Sequence, residues 1–192
     1  MRKLTVDDIK DLREYERERD DFRARIIETK KRRRVHLGDI LTITFENTDT
    51  MRYQVQEMAR AERMLSDEQI AHEVATYNEL VPDDGELSGT LFVEITKKDG
   101  LYEWLPRLAG IQRSVALWVN GTEIRAVPAD EERLTREDTT TTVHYLKFPV
   151  SSDERDALLE GPAHVIVDHP NYQTDIELTP EQREELARDL AG

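Results

Sequence analysis

The stretch SVALWVNGTEIRAV (114–127) decides the fold. Two alternating runs, 114–119 and 122–127, flank Asn120-Gly121. Both residues of that dipeptide tolerate positive φ, as a two-residue β-hairpin turn demands. A hairpin here means antiparallel pairing. The same reading extends downstream, where Ala163 to Asp168 and Gln173 to Leu178 flank His169-Pro170-Asn171-Tyr172. Between the two hairpins, Thr141 to Phe148 predicts a strand that Pro149 ends. Upstream, Ile40 to Asn47 and Leu87 to Thr96 carry the β-branched alternation of strands.

Helices fall between these strands at irregular intervals. Ser66 with Gln69, Ser151 with Glu154, and Thr179-Pro180 with Gln182 are capping-box starts. They predict helices over 67–77, from Ser151 to Glu160, and to Leu190. Gly161-Pro162 stops the second. Lys98 to Leu108 predicts a short helix with Trp104, Leu105 and Leu108 inward. Tyr102, Phe92 and Trp118 are read as core with Trp104. Thr48-Asp49-Thr50 reads as a turn, and the alternation of Met51, Tyr53 and Val55 favours a returning strand over 51–56. A single helix over Met51 to Leu65 competes with it. An acidic loop spans Asp130 to Asp138. The class is α+β: a mainly antiparallel sheet built from hairpins, with interspersed helices and a long charged N-terminal helix.

That N-terminal helix is predicted from Val6, behind a Thr5/Asp8 capping box, to Arg34. Leu12, Tyr15, Arg19, Phe22 and Ile26 step by three and four residues along one stripe, with Arg19 as a polar intruder. Residues 1–34 hold 13 Lys/Arg against 9 Asp/Glu, a net of +4, whereas residues 35–192 hold 14 against 32, a net of −18. The chain therefore divides into a charged helical arm, 1–36, and a single α+β domain, 37–192. Lys30, Lys31, Arg32, Arg33 and Arg34 end the arm, where the helix dipole favours positive charge. These five cations are the candidate docking residues. Their partner would be an acidic protein surface, which includes this chain's own body, folded back or in a second subunit. A redox protein or a homodimer is the expected assembly. A net charge of −14 disfavours nucleic acid, whose phosphates such a surface repels.

The absence of cysteine excludes disulfides, thiolate metal sites and a cysteine nucleophile. The N-terminus lacks the apolar segment of a secretory signal, and the longest apolar run is too short to span a bilayer. A cytoplasmic location is the expectation. The glycines form no dinucleotide or phosphate-binding loop, and the serines lack a nucleophile-elbow frame.

Histidine supplies the candidate chemistry. If strands 141–148 and 163–168 are neighbours, His144 and His169 approach each other and Asp168 joins them. Two imidazoles and a carboxylate suit iron, manganese or zinc, with Glu57 or Glu62 to complete the set. The competing reading makes His144 a hydrogen-bonded core residue and His169 a turn residue. Glu57 or Glu62 is also a candidate general base if burial raises its pKa. The charged run around them otherwise reads as a solvated helix face.

The segments VDDIKDLREYERERDDFRARII (6–27), KKRRR (30–34), ITFEN (43–47), RYQVQEMARAER (52–63), HYLKFP (144–149) and VIVDHPNY (165–172), in this order, resemble the bacterial domain-of-unknown-function 3501 proteins. The resemblance covers essentially the whole chain. It implies no established activity and carries no catalytic residues across. Similar proteins often neighbour rubrerythrin-like diiron proteins and iron–sulfur oxidoreductases in bacterial genomes. The resemblance therefore implies an accessory role in redox or peroxide defence.

Overall fold

A computed structural model describes residues 1–95, 98–129 and 139–191. The acidic stretch 130–138 and Thr96, at the end of a predicted strand, lie outside the described residues. The decisive hairpin is present: β4 (Val115–Val119) and β5 (Thr122–Arg125) pair antiparallel with Val119 opposite Thr122. Its turn holds Asn120 at φ 45° and Gly121 at φ 92°, the two positive values the geometry requires. On the other side of β4 runs β8 (Ala163–His169), which forms the second hairpin with β9 (Tyr172–Glu177). The four strands make one sheet in the order β5-β4-β8-β9.

A second antiparallel sheet has five strands. They are β1 (Arg34–Leu37), β2 (Leu41–Glu46), β3 (Glu86–Val93), β7 (Val143–Pro149) and the short β6 (Val127–Pro128), in that spatial order. Beyond Arg125 the chain passes from one sheet to the other: the Ala126 N–H still donates to Val115, while Val127 faces Lys147 of β7. At the opposite border the Tyr172 hydroxyl donates to the Leu37 carbonyl at 2.6 Å. Ile43, Phe45, Leu91, Leu146 and Phe148 from the five-stranded sheet share one core with Val115, Leu117, Ile124, Val165 and Val167 from the other. Leu108, Ile111, Leu158 and Leu186 from helices and turns join that core. The class is α+β, as expected.

Six helices are described. The first, α1, runs Leu12–Arg33, shorter than expected at both ends. The Thr5/Asp8 capping box exists but closes only a 3-10 turn, Val6–Asp8. Asp11 is the true cap of α1, its carboxylate accepting from the Arg13 and Glu14 N–H groups at 2.9 Å each. At the other end Arg34 opens β1, a strand the sequence reading missed; it pairs with β2 through Arg34↔Thr44 to Leu37↔Leu41.

The expected strand over 51–56 is a helix instead, α2 (Thr48–Glu62). The presumed turn is its start: the Asn47 side chain accepts from the Thr50 N–H, and the Thr50 hydroxyl accepts from the Asn47 N–H, both at 2.9 Å. The alternation misled because α2 buries two flanks. Met51 and Val55, one helical turn apart, pack with Leu4, Val74 and Val81. Tyr53 packs on another flank against Tyr15, Phe22 and Ile26 of α1. Two apolar flanks on one helix imitate period two over five residues.

The remaining helices fall where the sequence places them. They are α3 (Asp67–Asn78), α4 (Lys98–Arg107), α5 (Ser152–Glu160) and α6 (Pro180–Leu190). With α1 and α2, α3 covers the outer side of the five-stranded sheet, where Tyr145 of β7 packs on the Met51–Val55–Val74 group. Among the described residues no helix is long and apolar enough to cross a membrane.

Gly38 sits at φ 77° in the turn between β1 and β2, and a Cβ there would collide with the Tyr172 hydroxyl. Gly38→Ala should therefore lose about 1–3 kcal/mol from backbone strain plus the lost bridge between the sheets. A urea midpoint equal to that of the parent would refute the placement of this turn.

Candidate functional site

The structure does not bring the expected histidine site together. His144 lies on β7 and His169 on β8, strands of different sheets. His144 Nε2 is 2.7 Å from the Thr140 hydroxyl, and burial pushes its pKa down. His169 donates from Nε2 to the Ala109 carbonyl at 3.0 Å and accepts at Nδ1 from the Asn171 N–H at 3.2 Å. Both ring nitrogens are thus engaged, leaving no lone pair for a metal. Asp168 leaves β8 on the opposite face and is gripped by Arg125 at 2.8 and 3.0 Å, which holds its carboxyl below the usual range. No group of three or more His, Asp or Glu side chains among the described residues is placed to hold a metal ion.

The arm's cations are largely engaged within the chain. Lys31 pairs with Glu28 at 2.8 Å on the same helix, and Arg34 pairs with Glu94 of the segment after β3. Arg32 reaches Glu185 of α6 at 3.5 Å. Arg33 is fully buried. It donates to the Phe45 carbonyl at 2.8 Å, the Glu46 carbonyl at 3.2 Å and Glu185 at 3.2 Å, and it forms a close ion pair with Asp189. Burial pushes the Asp189 carboxyl up, against the pull of that guanidinium. Only Lys30 of the five has no ion pair among the described residues.

The helical stripe is also engaged internally. Tyr15, Phe22 and Ile26 are buried against α2. The polar intruder, Arg19, makes a two-point bond to Glu57 at 2.8 Å through each nitrogen, and the Tyr15 hydroxyl donates to the same carboxylate at 2.6 Å. Arg19 lowers the Glu57 pKa, the opposite of what a general base at neutral pH needs.

A surface that the sequence reading missed is the outer face of the four-stranded sheet. Trp118 sits one residue from the turn end of β4, facing Glu123 of β5 and His164 of β8 across the ladder, and His164 faces Glu177 of β9. The Trp118 and His164 rings meet edge to face at 5.5 Å, and His164 Nδ1 is 2.6 Å from Asp175. The adjacent row is Arg125, Ala116, Ile166 and Asp175. The carboxylates stand well into solvent: side-chain exposure is 52% for Glu123, 49% for Asp168 and 62% for Asp175. Strand parity could have found this face. Val115, Leu117 and Val119 point inward, so Trp118 points out.

The architecture defines a two-sheet α+β protein with one sheet face covered by helices and the other open. The chain belongs to the DUF3501 family, a protein family of unknown function, whose model matches residues 3–190. It is also similar to a solved structure, a novel protein of unknown function from Burkholderia pseudomallei K96243. The two share 34% identity, 98% of this chain and 100% of that chain are covered, and the TM-score is 0.91. No curated protein matches the sequence significantly.

Two outcomes test these placements. Arg33→Ala should cost about 3–5 kcal/mol, because it leaves Asp189 buried without a partner, while Arg33→Met combined with Asp189→Leu should cost much less. Equal losses in urea unfolding would contradict the buried pair. For His144, the folded-state pKa lies below the ordinary 6.5, so the unfolded chain takes up the proton first as pH falls. Its contribution is complete above pH 6.5 and shrinks below it. His144→Gln should flatten the decline of stability between pH 6.5 and the lower folded-state value.

Proposed function

We propose that this protein is an accessory interaction protein, which acts by presenting the open face of its four-stranded sheet to a protein partner. The observation that supports this reading is the half-buried Trp118 on that face, near the turn end of β4, with Glu123, Asp175 and Glu177 around it and Asp168 further along the same face. Tryptophan in such a setting is a characteristic binding anchor. The matching partner carries lysines or arginines around an apolar contact. With strands about 4.8 Å apart and about 3.4 Å per residue, the face measures about 19 by 20 Å. That is roughly half of the ~800 Å² per partner buried in a stable complex, so the contact is transient and micromolar unless neighbouring surface extends it.

The docking run Lys30 to Arg34 supports this reading less well, since four of its five cations already have counter-ions inside the chain. A redox protein as the partner, and with it a part in peroxide defence, rests on the family resemblance alone.

The test is pull-down from the native host with the tagged full chain, followed by mass spectrometry, in parallel with Trp118→Ala and with Glu123→Lys/Asp175→Lys. The expected result is a basic partner, released by salt, whose measured affinity falls at least about 30-fold in Trp118→Ala and further in the charge-reversed protein. An identical partner set in all three samples would refute the face as the docking surface. A partner lost only when Lys30, Lys31 and Arg32 are changed would move the contact to the arm.

A further inference from the structure

Between the first turns of α1 and the middle of α2 lies a cleft of about 190 Å³. Tyr15 and Phe22 supply its apolar lining, and Lys10, Arg25 and Arg52 bring cations to it. Arg25 from α1 and Arg52 from α2 converge on the Phe22 ring, with their guanidinium carbons 5.5 and 5.0 Å from its centroid. Tyr15 and Tyr53 meet the same ring edge-on, at 6.2 and 5.7 Å between centroids. The phenylalanine thus gathers both guanidiniums into one place, and each gains from lying over the ring.

Charge balance is unusual here. On a chain of net charge −14, Arg25 has no ion pair among the described residues. Among the described residues Arg52 has one ion pair, to Asp49 at 3.1 Å on its own helix, and its Nε is buried without a hydrogen-bond partner. An unpaired buried donor costs free energy, so Arg52 is incompletely satisfied within the chain. The two carboxylates of the lining are already engaged, Asp8 by Arg2 and Glu18 by Lys10 at 2.6 Å.

We infer that this cleft is a binding site for a small organic carboxylate whose anionic end meets Arg25 and Arg52 where they converge on the Phe22 ring. The guanidinium fork matches the planar carboxylate. A cleft of about 190 Å³ admits a ligand on the order of six to ten non-hydrogen atoms. At the per-atom efficiencies of small ligands, an affinity of about 1 mM or somewhat tighter follows. The site is separate from the open sheet face and survives the failure of that proposal.

Benzoate is the probe, titrated into the ¹⁵N-labelled full chain and followed by amide shifts, with inorganic phosphate in a parallel series. The expected result is saturable shifts confined to the α1–α2 cleft, with binding weakened at least tenfold in Arg52→Gln and in Arg25→Gln. The two variants sit on different helices, so misfolding of one leaves the other to report. Absence of saturation at 20-fold above about 1 mM would overturn the site. So would shifts that persist unchanged in both variants. Phosphate binding as tightly as benzoate would overturn the carboxylate assignment.

Discussion

The buried guanidinium of Arg33 is the constraint on which the rest of the structure depends. Taking such a charge out of water costs several kcal/mol, so every donor must be met. Arg33 meets this demand with the last two carbonyls of β2 and two carboxylates of α6, groups from two distant parts of the chain. It therefore determines where α1 ends, since the next residue already belongs to β1. It also pins the C-terminal helix to the entrance of α2. The arm that looks separable by charge is welded to the body at this point.

The polar side of the five-stranded sheet follows from the same packing. Thr42, Thr44, Glu46, Ser88 and Thr90 are all buried on strands whose other face forms the main core. Thr90 donates to Glu46 at 2.9 Å and Thr42 to Glu94 at 2.6 Å. A layer of short hydroxyls lets helices approach the sheet closely, and within it the Glu46 Oε2 is buried with no hydrogen-bond partner among the described residues. Among the described residues the opposite sheet has no such cover. Its outward residues include long charged side chains paired across strands, as in Arg125 with Asp168, which keep the face wet and leave Trp118 as its main apolar feature.

The two proposed surfaces have different origins. The open face is a property of strand parity, repeated across four strands. The α1–α2 cleft comes from a helix stripe that is apolar in its middle and cationic at its sides. Phe22 serves as both a packing residue and the platform for two arginines, so the stability of the helix pair and the shape of the cleft are coupled. Arg19, placed between Tyr15 and Phe22 in the stripe, is kept out of the cleft by its two-point bond to Glu57.

Local hydrogen bonding made part of this protein legible from sequence alone. Asn120-Gly121 forces its turn within two residues, and Ser66, Ser151 and Thr179 cap their helices within three, so these elements, the hairpins and the α+β class follow from the sequence. Such interactions close over short separations and need no knowledge of what packs nearby. The placement of α2 was decided by tertiary structure, because its two apolar flanks face different neighbours. The fates of His144, His169 and Asp168 depended on which sheet each strand joins and on which face each side chain leaves it. Arg33 illustrates the same limit: the sequence marks it as one cation among five, and only packing against residues more than 150 positions away makes it the one that is buried.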